Sequence, residues 1–547
     1  MLPHSTRRAR FGRVNLVWVL LGGGALAVVG LLLILNTGGS DSNDSSKPLV
    51  MYCAAGLRVP VEMAAREYEK EYGTPIDLQF GGSNTLLSQI DVNQASDADL
   101  YLAADDAYTD LAHEKGLSDE TLPIAHMRPV IAVRKDSTKK ITSLADLMQA
   151  DIRVALAHPD QAAVGKATRS RLQKYAAGDT NLWQQLEQHV TKNGVFKSTV
   201  NDVATDVKIG SVDAGIVWDS TVAMPDYAGE LEAVHVPELD GDPNLVSITV
   251  LKTTKRPTEA LRFARYLTAR DKGLPLFEKF GLRPIDGDMW EANPQVTFFC
   301  GAVNKRAVEQ IVADFESREG VKVNTVYNGC GTLTSTMKGI AGQDPKNGFP
   351  DVYMACDIYY LENVKDWFQE AANVSDCEIV IAVPKGSTKV KSLNDLIEPG
   401  VRVAIGQPEQ CTIGALTRRL LEKEQLYDKL MAKQKQSDEV VVEKPSSALL
   451  VPDVVAGHVD AALAYITDTL ANKDTIDVVK IESSLNRAVQ PFSIAKTSDH
   501  KFLLRRLFKR ITDSPEAFES AGFNFRLNKK PQEQDEQVAD KPEGSQP

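Results

Sequence analysis

The 547 residues are enough for several globular domains, and 43% hydrophobic with 25% charged residues is the balance of core-forming protein. A net charge of −12, with no Lys/Arg cluster outside the N-terminus, excludes a nucleic-acid partner, since phosphate binding requires a basic face.

In chain order, residues 1–13 form a basic segment carrying Arg7, Arg8, Arg10 and Arg13, and residues 14–36 hold an apolar stretch from Val14 to Leu35. About 20 apolar residues cross a bilayer, whereas the apolar part of a cleavable signal runs to about 7–15, so the stretch reads as a transmembrane helix with its basic flank in the cytoplasm. No small-x-small cleavage site follows Leu35, and no Cys stands nearby for lipidation. A cleaved signal is the alternative reading. Both place everything after Asn36 outside the cytoplasm, and the cytoplasmic end is too short for a signalling output domain. Residues 37–47, rich in Ser, Asp, Asn and Gly, read as a flexible spacer.

From there the chain states nearly the same pattern twice. Cys53, Ser83 and Trp218 recur as Cys300, Cys330 and Tyr465, each 247 residues on. A period that long is a duplicated domain rather than a solenoid repeat, whose units run to about 20–50 residues. The copies span 48–284 and 296–528. A linker with Gly, Pro, Asn and Asp occupies 285–295, and the polar segment 529–547 reads as a disordered tail.

Each copy opens with an apolar strand, at 49–53 or 296–300. A helix-period segment follows at 59–71 or 306–319, then a second strand at 75–80 or 321–327. The second strand leads into a Gly-rich turn, Gly81-Gly82-Ser83-Asn84 or Asn328-Gly329-Cys330-Gly331, and another helix. A third strand ends at Ala104-Asp105 or Cys356-Asp357. Further on, a strand at 153–157 or 402–405 precedes a helix from Gly165 or Gly414, and later strands end at Trp218 and Tyr465. The strands at 245–251 and 488–495 return to the first sheet. Strands alternating with helices predict α/β lobes with parallel sheets, two lobes per copy with a hinge and a central cleft. Ligands in such sheets sit beyond the carboxyl ends of strands, where all these turns fall.

At these residues each copy, over about 240 residues, resembles the periplasmic solute-binding proteins of ABC importers, specifically the molybdate/tungstate-binding family. The segments that carry the resemblance are Phe80 through Ile90, Ala98 through Asp105 and Asp213 through Trp218. The resemblance implies two tandem type II periplasmic-binding-protein folds. It implies a tetrahedral oxyanion held by neutral hydrogen bonds without a counter-ion, and an ABC permease as partner. Free N–H groups at helix N-termini suit such an anion. Carried over position by position, Ser83 and Asn84 sit in the oxyanion loop. Val164 and Val200 stand at helix starts and offer backbone N–H groups. Trp218 stands where a ligand-contacting Tyr is expected, its indole N–H the available donor. In copy two these places hold Cys330, Ile413, Ser447 and Tyr465. The family's Ser near the end of the first strand is Gly56 here, with Arg58 close behind; copy two has Val303 and Lys305. Copy two therefore departs further, since a Cys is a weak donor.

Other motifs have plainer readings. The Gly-rich turns also suit tight strand-to-helix connections, and Arg58 also suits a solvated first-turn residue. Asp105 and Asp357 are expected as N-caps of the following helices, and His158 as a structural or solvent-facing residue. Cysteines are concentrated in copy two, with Cys300, Cys330, Cys356 and Cys411 on expected cleft loops. A disulfide between two of them, buried thiols, and a soft-metal or redox site are all open readings. Neither copy offers a Ser/His/Asp set or two carboxylates sharing one environment, so no catalytic residue and no cofactor is expected. The function expected is extracytoplasmic oxyanion binding by hinge closure for an importer. The alternatives are sulfate or phosphate as the anion, a thiol-rich metal- or redox-handling second copy, and a sensor or adaptor role.

Overall fold

The computed structural model describes residues 47–93, 97–177, 180–341 and 348–527. The expected membrane segment at 14–36, its basic flank and the tail from 529 lie outside the described residues.

Copy one is built on two large sheets, with a two-stranded ribbon of Ala176–Ala177 and Thr180–Asn181 beside them. The first contains β1 (Leu49–Ala54), β2 (Ile76–Gly81), β3 (Ala98–Ala103), β4 (Ser118–Met127), β10 (Asn244–Leu251) and β11 (Arg283–Pro284), in the order β11-β4-β10-β3-β1-β2. The second contains β5 (Pro129–Arg134), β6 (Val154–Ala157), β7 (Gly194–Lys197), β8 (Ala214–Trp218) and β9 (Leu231–Val234), in the order β9-β5-β8-β6-β7. β3 and β8 are buried along their whole length, as their largely apolar runs require of central strands, with Asp99 the one charged residue in them. The sheets are mixed rather than parallel: β10 runs antiparallel to β3 and β4, and β5 antiparallel to β8. The expectation of parallel sheets missed these strands because they follow the lobe crossings. A strand entering from the other lobe needs no crossover helix and is free to run against its neighbours.

Copy two repeats the plan with β12 (Gln295–Gly301), β13 (Lys322–Asn328), β14 (Val352–Met354), β15 (Phe368–Pro384), β16 (Val403–Gly406), β17 (Val441–Lys444), β18 (Ala461–Tyr465), β19 (Ile476–Lys480), β20 (Arg487–Ala495) and β21 (Asn524–Phe525). One difference concerns the hinge. In copy one the chain breaks at Arg128 between β4 and β5. In copy two β15 is a single 17-residue strand, paired with β20 from Phe368 to Glu378 and with β18 from Ile379 to Ala382. One strand thus belongs to both lobes.

The helices form for legible reasons. In α1 (Arg58–Tyr72) the buried Val61, Ala64, Ala65 and Tyr68 follow i, i+3, i+4, i+7, and the helix stops at Gly73 with φ 70°. In copy two's counterpart, the helix Lys305–Glu319, Val308, Ile311, Val312 and Phe315 repeat that spacing before Gly320 at φ 64°. Asp99 accepts from Val50 N and Thr254 Oγ1; Asp351 likewise accepts from Thr297 N and Ser498 Oγ. The repeated aspartates of the third strands are therefore structural ties. Asp105 and Asp357 cap the next helices, accepting from Ala107 N at 3.0 Å and Tyr359 N at 2.9 Å.

The two copies are joined by charge as well as by chain. Glu319 is 1% exposed and binds Arg265 at 2.9 Å from copy one and Arg506 at 2.6 Å from copy two. Glu120 receives Arg318 at 2.9 Å and also pairs with Arg510. The linker is pinned rather than loose. Asp288 accepts from Phe502 N and Leu503 N, and Trp290 packs edge-to-face against Tyr72 and Tyr266 while donating to Tyr72 Oη. Burial raises the Glu319 carboxyl pKa, but the guanidiniums of Arg506 and Arg265 outweigh it and hold the group below the usual carboxylate range. With the folded value depressed, the stabilisation is complete above the unfolded glutamate pKa and is lost as pH falls through the folded value. Glu319→Ala leaves two guanidiniums buried and unpaired and is expected to cost about 3–5 kcal/mol. Thermal denaturation reads this, and a change under 1 kcal/mol contradicts it.

Candidate functional site

The lobes of copy one meet over a small cavity of about 10 Å³, the room of roughly one water. Every lining residue is uncharged. One lobe supplies Ala54–Gly56, Gly81–Ser83 and Ala104; the other supplies Ala162–Val164, Thr199, Val200 and Trp218. Three helices begin here: α2 (Ser83–Val92), α3 (Ala163–Leu172) and α4 (Val200–Lys208). The first backbone bonds within these turns are Leu86 N to Gly82 O, Lys166 N to Ala162 O and Val203 N to Thr199 O. The N–H groups of Ser83, Ala163, Val164 and Val200 therefore have no partner inside their own helices, and three helix-dipole positive ends converge on one point.

Small residues make this convergence possible. A Cβ on Gly82 would stand 2.4 Å from Gln161 O and 2.9 Å from Ser198 O, both on the opposite lobe. A Cβ on Gly56 would stand 2.9 Å from Val200 Cγ1. Ser83 Oγ accepts from Ala104 N at 3.3 Å, which leaves its O–H free to donate. Trp218 is 1% exposed and lines the cavity.

Of the expected contacts in copy one, Gly56, Ser83, Val164, Val200 and Trp218 are brought together. Arg58 is not: its guanidinium lies 4.5 Å above the Phe80 ring and pairs with Glu62 at 3.2 Å, outside the lining. Asn84 is also outside. Its side chain donates to Asp160 O at 2.7 Å and its N–H to Gln161 O at 3.1 Å, so it clasps the lobes. Asn201 does the same from the other side, donating to Ala55 O at 2.9 Å. His158 is partly exposed and accepts from Asp160 N. Ala104, Ala162, Ala163 and Thr199 were not singled out from sequence. Of these, Thr199 was legible, since Thr199 and Asp202 form a capping box.

Copy two keeps the frame and changes the chemistry. Cys356 N lies 3.0 Å from Cys330 Sγ, reproducing the Ala104–Ser83 contact, and Cys330 and Cys356 are joined in a disulfide. Its sulfurs fill the space over Gly301, where a Cβ would stand 2.3 Å from Cys356 Sγ. No hydroxyl remains at this point. Cys300 and Cys411 are free and buried, and burial pushes both thiols up, so neither is a poised thiolate. Among the described residues no group of three or more His, Cys, Asp or Glu could hold a metal ion. Joining Cys330 to Cys356 also removes two thiolates from the four-cysteine metal reading. Ile413 and Tyr465 are buried, and Tyr465 Oη has no hydrogen-bond partner among the described residues. Val303 and Lys305 line a separate interlobe cavity, where Lys305 pairs with Glu309 at 3.6 Å and lies over Tyr327. The Ser447 hydroxyl acts on the Asp468 carboxyl and lowers its pKa.

Comparison with known proteins matches this architecture copy by copy. The family model described as bacterial extracellular solute-binding protein matches residues 49–283 and again 296–524. A putative ABC transporter substrate-binding lipoprotein of Bacillus subtilis is 26% identical over 267 residues, covering 47% of this chain and 96% of the relative. The molybdate-binding protein ModA of Mycobacterium tuberculosis is 28% identical over 265 residues, covering 46% of this chain and 94% of the relative. Among solved structures, the periplasmic molybdate-binding protein of Azotobacter vinelandii is 15% identical, covering 43% of this chain and 98% of that one, with a TM-score of 0.36. Iron-bound HitA of Pseudomonas aeruginosa is also 15% identical, covering 43% of this chain and 86% of that one, with the same TM-score of 0.36. With the family model covering both copies, the chain belongs to the bacterial extracellular solute-binding proteins and carries that family's unit twice.

Proposed function

We propose that the first copy binds a tetrahedral oxyanion of the molybdate or tungstate type outside the cytoplasm and presents it to the permease of an ABC importer. The observation that carries this reading is the cavity walled by three helix starts and no ionisable side chain. Such a site attracts an anion through fixed dipoles and satisfies its oxygens with N–H and O–H donors. The ModA relatives support molybdate as the anion. A metal cation would need anionic or imidazole ligands, which this lining lacks. In the same reading, residues 14–36 tether the protein to the membrane.

The mechanism is closure about the two lobe crossings. The ligand touches both lobes, so it stabilises the closed form by its differential affinity for that form. Asn84 and Asn201 then add interlobe hydrogen bonds available only when the lobes meet. A five-atom anion is larger than a single water, so the lobes part slightly to admit it.

Two expectations test the reading. Ser83→Ala removes a hydrogen bond to a charged guest, worth about 1.5–3 kcal/mol, and should weaken molybdate binding roughly 10- to 100-fold by calorimetry. Arg58→Ala should leave it unchanged, and the reverse ranking contradicts the assignment. Gly82→Ala places a methyl against Gln161 O and should block closure. Molybdate affinity should then fall at least tenfold while the unliganded melting temperature holds, and retained affinity contradicts the closure mechanism.

A further inference from the structure

The second copy has a cavity of about 260 Å³ between its lobes, far larger than the first copy's 10 Å³. Its walls carry opposite charges. Lys305 and Arg306 come from the first lobe; Thr467, Asp468 and Asn472 come from the second. At the 247-residue offset, Val59 and Thr221 occupy the places of Arg306 and Asp468 in the first copy, so this charge pair belongs to copy two alone.

The cavity wall holds polar groups without partners. Thr467 is 3% exposed and its Oγ1 has no hydrogen-bond partner among the described residues. Asp468 Oδ2 is likewise buried and unpartnered among them. Burial pushes Asp468 up to about 6, against the Ser447 hydroxyl and the Arg306 charge that lower it. Arg306 donates to Thr467 O in the second lobe at 3.4 Å. An ionised carboxylate accepts hydrogen bonds only, so the free oxygen calls for a donor from a ligand, and a bare anion beside it is repelled.

We propose that this cavity is a second solute site and takes a small zwitterion of the amino-acid class, with its ammonium on Asp468 and Thr467 and its carboxylate towards Lys305 and Arg306. The disulfide standing where the first copy has Ser83 fits the same division, because it removes the hydroxyl an oxyanion would use. The inference rests on solute binding by the second copy and not on the identity of the first copy's anion.

The test uses the full chain, screened by thermal shift and calorimetry against each standard L-amino acid at about 10 mM, since a bound ligand raises stability by mass action. At least one amino acid with an uncharged side chain should bind one per chain. Its N-acetyl and its amide derivatives should bind at least tenfold more weakly. The near-isosteric Asp468→Asn should weaken the parent amino acid by a similar factor, whereas Ser83→Ala should not change it. The proposal is overturned if no amino acid binds, if blocking the amine leaves affinity intact, or if Asp468→Asn binds as wild type. Molybdate titrated into the same sample reports the first copy independently, so failure of one site does not imply failure of the other.

Discussion

The first cleft is governed by the unmet hydrogen-bonding capacity of three helix starts. The N–H groups of Ser83, Ala163, Val164 and Val200 cannot be satisfied within their own helices, and the lobes close over them. A buried donor without a partner costs free energy, so the closed cleft favours a guest that brings several acceptors at once. The run of Gly and Ala along the lining follows from the same need, since larger side chains would hold the backbone away from the guest and the lobes away from each other.

Duplication let this plan diverge. The second copy keeps its helices, caps and strand-end turns, yet its Gly-rich turn carries a disulfide and its second lobe a half-buried aspartate. The junction does not diverge freely, because Glu319 is held by an arginine from each copy and the linker's Asp288 caps the helix Lys501–Thr512. The copies are therefore tied to one another by side-chain contacts as well as by the chain.

Much of this was legible in the chain. The 247-residue offset revealed two units, the turns after the strands marked the cleft, and Asp105 and Asp357 read correctly as caps. Ser83, Val164, Val200 and Trp218, named from the family resemblance, line one cavity between the lobes. What was not legible depends on distance across the fold. Arg58 lies one turn from the cleft in sequence, but helical geometry carries it to Phe80 and Glu62. Which cysteines pair, the antiparallel return strand, the 17-residue strand spanning both lobes and the docked linker all depend on contacts between segments far apart in the chain.

The account stands on an anion gripped by neutral dipoles, and its pH dependence is the direct test. No lining group of the first cleft titrates near neutrality. Molybdate affinity of the full chain, measured by calorimetry from about pH 6.5 to 8.5, should be flat at one anion per chain. A titration step in that range, or a second equivalent of molybdate of equal affinity, would contradict it.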